Sequence, residues 1–276
     1  MSTQPGKILL TGATGLVGAR LLRRLVEAGL DCRVLVRHEQ DAPAGVPALV
    51  GDLRDLDSLT EAVQDVATVI HLAAVFRTQD TELIWQSNLE GTRRLIAAVQ
   101  AHAPTARFIL ASTSNVYSKE QLQPGREDDV VTPAQAYPAS KVAAEQELRK
   151  SGLNWVVLRF PFVYGDGDGH LEALPTHARA GKWHPAMRMS TIHHRDIATA
   201  MHLALAGVLD GRIVNIADDA PTSMYELAQL VGETLPPSTE PLANPWYLLS
   251  DSSLARSLGF QPVVRTIYQA VQEKLL

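Results

Sequence analysis

The sequence contains a single cysteine, Cys32, among its 276 residues. One cysteine excludes an intrachain disulfide and a zinc cluster built on cysteines. Because Cys32 lies in an apolar run of strand length, we predict that it is a small residue of the core.

Long apolar runs and runs of basic residues are also absent. No stretch reaches the roughly 20 apolar residues that a membrane-spanning helix needs, and residues 1–6 lack the basic start of a secretion signal. The formal net charge is −5. These features predict a soluble, cytoplasmic protein that has neither nucleic acid nor an anionic membrane as a partner.

Motifs that would bind a metal ion are incomplete. Asp166-Gly167-Asp168-Gly169 resembles the start of a calcium loop, but its twelfth position holds His177 instead of glutamate. Several histidines lie close in sequence at spacings that match no helical zinc motif, namely His170, His177, His184, His193 and His194. We therefore expect no metal, and we interpret residues 166–169 as a flexible turn over the substrate.

Near the N-terminus, an apolar run leads into regularly spaced glycines. Lys7–Leu10 has strand length, Gly12, Gly15 and Gly18 follow, and Leu16–Ala28 has the apolar spacing of a helix. A strand, a glycine-rich turn and a helix in this order are typical of dinucleotide binding. Glycine lets the backbone approach a pyrophosphate, which the N–H groups and positive end of the helix then hold.

A tyrosine and a lysine, Tyr137 and Lys141, are spaced four residues apart where a helical pattern begins, which we place at Ser140–Lys150. On a helix this spacing puts both side chains on one face. A nearby ammonium favours the phenolate, so the phenol could exchange a proton with an alcohol or carbonyl near neutral pH.

Strand and helix patterns alternate along the first part of the chain. This alternation predicts βαβ units and a Rossmann-type, doubly wound parallel α/β sheet with ligands at the carboxyl ends of its strands. We predict a dinucleotide-binding domain at residues 1–160, to which residues 190–220 return, and a smaller substrate-binding lobe at residues 161–276. The expected strands are Lys7–Leu10, Cys32–Val36, Thr68–Leu72, Arg107–Ala111, Trp155–Leu158 and Arg212–Ile216. The expected helices are Leu16–Ala28, Leu56–Gln64, Glu82–Ala101, Ser140–Lys150, Asp196–Ala206 and Ser223–Thr234.

Over nearly its whole length the chain resembles an extended short-chain dehydrogenase/reductase of the epimerase/dehydratase family. The segments that carry this resemblance, in chain order, are Thr11–Gly18, Gly51–Asp55, His71–Ala74, Asn88–Thr92, Ser112–Tyr117, Tyr137–Lys141, Leu158–Gly165, Ile192–Ala198, Asn215–Ala217 and Leu258–Pro262. The resemblance implies the Rossmann fold, a nicotinamide dinucleotide cofactor and hydride transfer on a small-molecule substrate.

The family's roles carry over to particular residues of this chain. Tyr137 would be the acid/base, Lys141 would tune it and bind the nicotinamide ribose, and Thr113, flanked by Ser112 and Ser114, would help to bind the substrate oxygen. Asp52 would accept a hydrogen bond from adenine or cap a helix. Beside Tyr137 and Lys141, the resemblance implies cofactor contacts at Gly12, Thr14, Gly15, Leu16, Val17, Arg37, Asp52, Leu53, Leu72, Ala73, Ala74, Asn88, Phe160 and Val163.

Arg37 occupies the end of the second predicted strand, where enzymes that use NAD usually carry an acid for the ribose 2′-hydroxyl. An arginine suits a 2′-phosphate through its charge and its planar fork of donors. We therefore expect NADP, with NAD as the less favoured cofactor.

These observations predict an NADP(H)-dependent oxidoreductase that acts on a carbonyl or secondary alcohol. A sugar-nucleotide epimerase or dehydratase is the first alternative. Against it, Ser114 and Asn115 stand where such dehydratases carry an acidic pair, and Met189 aligns with the epimerases' diphosphate-clamp arginine, although the adjacent Arg188 could replace that clamp. The second alternative, a non-catalytic NADP-binding regulatory protein, is disfavoured because the acid/base set is retained.

The oligomeric state and the substrate are less determined. Helices Glu82–Ala101 and Tyr137–Lys150 resemble the pair through which family members form a homodimer, and packing of both helices in the core is the other explanation. We expect Val75–Thr81, Ser118–Ala136 and Val163–Met189 to form the substrate pocket, which carries no signature of a particular substrate.

Overall fold

A seven-stranded parallel sheet forms the centre of the protein in a computed structural model that describes residues 6–276. Its strand order is β10-β6-β5-β4-β1-β2-β3, and every neighbouring pair is parallel. The predicted Rossmann-type fold is thereby confirmed. The strands are β1 Ile8–Thr11, β2 Cys32–Val36, β3 Ala48–Val50, β4 Thr68–His71, β5 Arg107–Thr113, β6 Asn154–Phe160, β7 Phe162–Tyr164, β8 Arg188–Met189, β9 Thr191–His193, β10 Arg212–Asn215 and β11 Thr222–Ser223.

Helices cover both faces of this sheet. Ile8 and Leu10 of β1 belong to one core cluster and Leu9 to the other, because successive strand side chains point to opposite faces. Cys32 is buried in the first cluster, as predicted. The helices are α1 Leu16–Glu27, α2 Leu56–Ala62, α3 Thr81–Trp85, α4 Gly91–His102, α5 Ala136–Lys150, α6 His170–Ala180, α7 His194–Leu205, α8 Met224–Leu230, α9 Ser253–Ser257 and α10 Ile267–Gln272.

Several predicted elements have different boundaries. Helix α5 begins at Ala136 instead of Ser140, since Pro138 lies in the first turn, where its missing N–H group costs no hydrogen bond. The predicted helix Glu82–Ala101 is divided into α3, a π-helical turn at Gln86–Glu90, and α4. The predicted helix Ser223–Thr234 ends at Leu230.

The part of the chain after β6 is more ordered than its proline and glycine content indicated. Helix α6 contains Pro175, and two small sheets pair β7 with β9 and β8 with β11. A third core cluster draws only on residues 162–276. The division into two lobes stays a prediction, and its first five residues lie outside the described part of the chain.

Among residues 6–276, no helix has both the length and the apolar character that crossing a bilayer requires. Within the same part of the chain, no group of three or more His, Cys, Asp or Glu side chains is arranged to hold a metal ion.

Candidate functional site

A cleft of about 1150 Å³ runs along the carboxyl ends of the sheet strands. Because β2 and β3 form one edge of the sheet and β5 and β6 lie beyond β4, the cleft extends from Arg37 and Asp52 at one end to Thr113 and Phe160 further along. All predicted site residues except Asn88 line this cleft. They are Gly12, Thr14, Gly15, Leu16, Val17, Arg37, Asp52, Leu53, Leu72, Ala73, Ala74, Thr113, Tyr137, Lys141, Phe160 and Val163.

The glycine-rich turn between β1 and α1 fits a dinucleotide pyrophosphate. Gly12 has a φ of +75°, and a Cβ atom there would lie 2.6 Å from the backbone nitrogen of Ala73. A Cβ atom at Gly18 would lie 2.0 Å from the carbonyl oxygen of Gly12. Helix α1 has no side-chain cap and no acid in its first turn, so its N-terminal N–H groups are available to an anion.

The end of the cleft beside β2 and β3 carries both signs of charge. The carboxylate of Asp52 accepts hydrogen bonds from the backbone and guanidinium of Arg54, at 2.8 and 3.0 Å. These bonds, with Arg37 as a further positive neighbour, hold the pKa of Asp52 below its usual range. The suggestion that Asp52 caps a helix is wrong: Asp55 is the N-cap of α2, and its side chain accepts a hydrogen bond from the backbone of Asp57.

Tyr137 and Lys141 lie one turn apart near the start of α5 and line the same cleft. Burial raises the pKa of the Tyr137 phenol to about 12 and lowers that of the Lys141 ammonium to about 8. That Lys141 favours the phenolate stays a prediction, because burial alone accounts for the raised pKa of the phenol. The phenol is protonated at neutral pH.

The hydroxyl groups at the end of β5 have different roles. Ser112 donates a 2.5 Å hydrogen bond to Glu145 and is thereby committed to the protein. Thr113 accepts a hydrogen bond from the backbone of Asn115 at 3.1 Å, which leaves its own proton available to the cleft. Ser114 is buried beside it and also lines the cleft. Thr113 and Ser114 are therefore the hydroxyl groups that can meet a substrate oxygen.

A buried ion pair that the sequence analysis missed lies behind these residues. Glu145 and Arg159 are each 2% exposed, and two hydrogen bonds of 3.1 and 2.7 Å join them. Glu145 stands one turn after Lys141 on α5, Ser112 precedes Thr113, and Arg159 precedes Phe160. The pair therefore joins α5 to β6, and the hydrogen bond from Ser112 joins α5 to β5. These three elements carry the predicted acid/base and hydroxyl groups. Its only sequence signal is the i, i+4 spacing of Lys141 and Glu145.

Asn88 is the one predicted cofactor contact that the structure keeps out of the cleft. Its buried carboxamide accepts from the backbone N–H of Val75 at 2.8 Å and donates to the Val75 carbonyl at 2.9 Å. It also donates to the Ser140 hydroxyl at 3.0 Å. Asn88 thus fixes the loop after β4 against α5 and shapes the cleft indirectly.

The half of the cleft beyond Tyr137 presents many apolar side chains, together with polar ones that include the cations Arg77 and Lys119. The phenyl ring of Phe76 lies 5.5 Å from the Tyr137 ring, centre to centre, and is tilted at 43° to it. The remaining apolar side chains of this half come from α3, β7, α6 and the segments near residues 183–189 and 247–248, and they are Leu83, Phe162, Leu174, Trp183, Met187, Met189, Tyr247 and Leu248.

The side chain of Arg188, the suggested replacement for the clamp arginine, lies outside the cleft. Its guanidinium donates to the carbonyl oxygen of Pro221 at 2.9 and 3.2 Å, and the residue is not part of the cleft lining. Met189 instead is buried and lines the cleft. The β8–β11 pairing explains this, because it aims the two neighbouring side chains in opposite directions.

The loop at residues 166–169, for which a flexible turn was expected, makes several polar contacts with the rest of the protein. Arg24 pairs with the carboxylate of Asp166, and Arg20 donates to its carbonyl oxygen at 3.0 Å. Asp168 accepts a 2.8 Å hydrogen bond from Nε2 of His194, and both side chains are 1% exposed. Because these partners lie on α1 and α7, the loop is held against these two helices.

The comparisons with known proteins agree with this geometry. Residues 8–217 match the family model described as NAD dependent epimerase/dehydratase family. A 3-beta-hydroxysteroid dehydrogenase from Mycolicibacterium neoaurum is 27% identical over 100% of this chain and 92% of its own. A UDP-glucose 4-epimerase from Streptomyces lividans is 32% identical over 59% of this chain and 54% of its own. The fold matches that of the Bordetella bronchiseptica enzyme WbmG in complex with NAD, with a TM-score of 0.82, 22% identity and coverage of 99% and 96% of the two chains.

Proposed function

The chain belongs to the NAD dependent epimerase/dehydratase family, and we propose that within it the protein is a net oxidoreductase that uses NADP(H) on an apolar ketone, aldehyde or secondary alcohol. The family members that are similar to this chain are NAD(P)-dependent oxidoreductases or epimerases. One observation carries the choice between these two: the substrate half of the cleft presents Met189 and other apolar side chains, whereas the guanidinium of Arg188 is bonded to Pro221 outside it.

The proposed chemistry divides between the cofactor and the protein. When bound, the nicotinamide supplies or accepts the hydride. The Tyr137 phenol, which is protonated at neutral pH, donates its proton to the carbonyl oxygen during reduction. A hydroxyl group of Thr113 or Ser114 donates a hydrogen bond to the same oxygen, and the Lys141 ammonium holds the nicotinamide ribose. The apolar walls exclude water from the reacting carbonyl.

The preference for NADP(H) rests on Arg37. Its side chain is exposed and lines the cleft at the end of β2, where it can meet a 2′-phosphate. Replacement by aspartate, Arg37→Asp, should weaken NADPH binding by roughly 1.5–3 kcal/mol, the range for a charge-assisted hydrogen bond. Arg23→Asp, on the exposed face of α1 outside the cleft, makes the same charge change and should leave binding unaltered.

Titration by nicotinamide fluorescence measures both cofactors. Asp41 also lines this end of the cleft and is the group that would favour a ribose hydroxyl, so Asp41→Asn belongs in the same series. Equal affinity of the native chain for NADPH and NADH would refute the preference for NADP(H) without touching the choice of reaction.

The apolar substrate half and the full-length similarity to a steroid dehydrogenase support an apolar substrate. The test is a screen of NADPH consumption against steroid and other fused-ring ketones, simple aldehydes and UDP-glucose. A net reductase consumes one NADPH for each alcohol formed, whereas an epimerase leaves the cofactor unchanged at the end of each turnover.

An epimerase that acts on a sugar nucleotide is the second candidate. The similarity to a UDP-glucose 4-epimerase favours it, and so do two exposed cations in the cleft lining, Arg77 and Lys119. Calorimetric titration of UDP and UDP-glucose into the NADPH-loaded protein decides between the two candidates. Micromolar binding that Arg77→Ala or Lys119→Ala abolishes would place the epimerase first. We expect binding weaker by orders of magnitude, because a bidentate charge-assisted contact to the diphosphate is missing.

A further inference from the structure

Two contacts orient the imidazole of His170 in the cleft, and a third fixes its backbone. Its ring stacks on Phe162 with 4.3 Å between centroids, and its Nδ1 lies 2.8 Å from the carbonyl oxygen of Val163. Its backbone N–H donates to the carboxylate of Asp168 at 2.8 Å. Because Asp168 is itself fixed by His194, the start of α6 has little freedom to move.

These contacts determine which ring nitrogen carries the proton. A carbonyl oxygen only accepts hydrogen bonds, so Nδ1 is protonated. Burial lowers the pKa of the imidazole, as do the charges of Arg77 and His177, whereas the Val163 carbonyl and Asp168 act in the opposite direction. The ring is therefore neutral near pH 7, and Nε2 is an acceptor.

The acceptor Nε2 has no hydrogen-bonding partner among residues 6–276, and it is not enclosed by protein. Since His170 lines the cleft, this lone pair is available to a ligand. Other polar side chains in the substrate half, such as Asn115, Lys119, Gln135 and His177, are exposed and have no such fixed orientation. His170 is thus a pre-oriented acceptor that stacks on an apolar ring of the cleft.

We propose that His170 is a specificity-determining residue, whose Nε2 accepts a hydrogen bond from a hydroxyl or amide N–H group of the substrate. This inference rests on the proposed function and narrows it: the substrate is an apolar carbonyl compound or alcohol that bears a second hydrogen-bond donor. A site built to pair with such a donor rejects the analogue that lacks it far more strongly than an apolar pocket rejects a missing methylene group.

Matched pairs of ketones test this inference. Saturated decalin ketones, each paired with analogues that carry one hydroxyl group at different ring positions, are compared by kcat/KM with NADPH. In the native protein at least one hydroxylated analogue should exceed its parent tenfold or more. This preference should decline as the pH falls below the ordinary range of histidine, since a protonated Nε2 no longer accepts.

Two variants separate recognition from structure. His170→Asn keeps a donor near the position of Nδ1 and removes the Nε2 acceptor, so the ratio of kcat/KM for the hydroxylated ketone to that for its parent should fall at least tenfold. His170→Gln extends a carboxamide oxygen towards the Nε2 position and should restore part of the preference. His202→Asn is the control, because His202 also has its Nδ1 2.7 Å from a backbone carbonyl, that of Ala198, but lies outside the cleft.

Three results would overturn the inference. The first is the absence of a hydroxyl preference across the panel, and the second is a preference that survives in His170→Asn. The third is a loss of NADPH affinity in His170→Asn large enough to explain the lower kcat/KM, which would mean that Nε2 binds the cofactor and not the substrate. If no ketone is reduced, the proposed function fails separately. Equilibrium binding of the same ketone pairs to the NADPH-loaded protein then measures the hydroxyl preference, and its loss in His170→Asn would still support the role of His170.

Discussion

Removing one partner of the buried Glu145–Arg159 pair should be among the most damaging changes to this protein. Glu145 accepts hydrogen bonds from Arg159 and from Ser112, and Arg159 also donates to the Tyr117 hydroxyl at 3.1 Å. In Glu145→Gln the guanidinium stays charged, because an arginine side chain does not lose its proton in proteins, even though burial lowers its pKa and the raising effect of Glu145 is gone. The variant therefore keeps a buried cation without its neutralising carboxylate.

The size of the loss follows from burial and from the remaining neighbours. Breaking a buried ion pair typically costs about 3–5 kcal/mol of unfolding free energy. The carboxylate of Glu127 also interacts with Arg159, so we expect a value near the lower limit of about 3 kcal/mol. Replacing both partners with methionine should cost much less, since neither charge is then buried alone.

Urea unfolding followed by circular dichroism measures this as a double-mutant cycle. We expect the Glu145→Met/Arg159→Met protein to be more stable than either single variant, with a coupling energy of about 2 kcal/mol or more. A loss below about 1 kcal/mol in Glu145→Gln, or a double variant whose loss equals the sum of the single losses, would refute this reasoning.

The same variants report on the site. Burial lowers the pKa of Lys141 to about 8 even though the carboxylate of Glu145 raises it. Without that carboxylate the ammonium should lose its proton at a lower pH. If Lys141 holds the nicotinamide ribose, the pH above which NADPH affinity falls should move to lower values in the double variant. An unchanged pH profile would show that Glu145 does not affect the ionisation of Lys141 and has a purely structural role.

Three further predictions concern single substitutions. Tyr137→Phe should abolish turnover and leave NADPH affinity, measured by fluorescence, nearly unchanged; wild-type rates would place the proton donor elsewhere. Burial raises the pKa of Asp218 to about 7, so the folded state binds more protons than the unfolded state, and stability falls as the pH rises from about 4 to 7. The carboxamide of Asp218→Asn can still accept the hydrogen bond of Thr191 but does not titrate. The difference in unfolding free energy between this variant and the native chain, measured in urea, should therefore shift in favour of the variant by at least about 1 kcal/mol from pH 5 to pH 8; parallel pH profiles would contradict this. Gly18→Ala should cost about 1–3 kcal/mol and at least tenfold in NADPH affinity, because its Cβ would meet the Gly12 carbonyl at 2.0 Å; Gly15→Ala, with 3.3 Å to the same oxygen, should do less harm.

Local sequence patterns were sufficient for the turn after β1 and for six of the seven strands of the sheet, but not for the short edge strand β3. The strands of a parallel sheet are buried on both faces, so β2, β4 and β5 appear as continuous apolar runs that can be found without tertiary information. The glycine spacing is also a local signal, because it reflects the tight backbone turn between β1 and α1. The boundaries were less accurate: α5 begins four residues earlier than predicted, because proline is compatible with a first helical turn as well as with a loop.

Elements that depend on distant partners could not be predicted in this way. Strand β8 exists because Arg188 and Met189 pair with Thr222 and Ser223, and this pairing alone decides which of the two side chains reaches the cleft. The commitment of Ser112 to Glu145 likewise depends on the packing of α5 against β5.

The sequence by itself therefore determined the fold class, the cofactor turn and the candidate acid/base pair, since each depends on residues close together in the chain. The tertiary structure decided what surrounds them: a protonated Tyr137, an Asn88 that supports the cleft from outside it, and a fixed His170 in an apolar cleft. Protonation and orientation depend on burial and on long-range hydrogen bonds, which are properties of the packed chain and of no single segment.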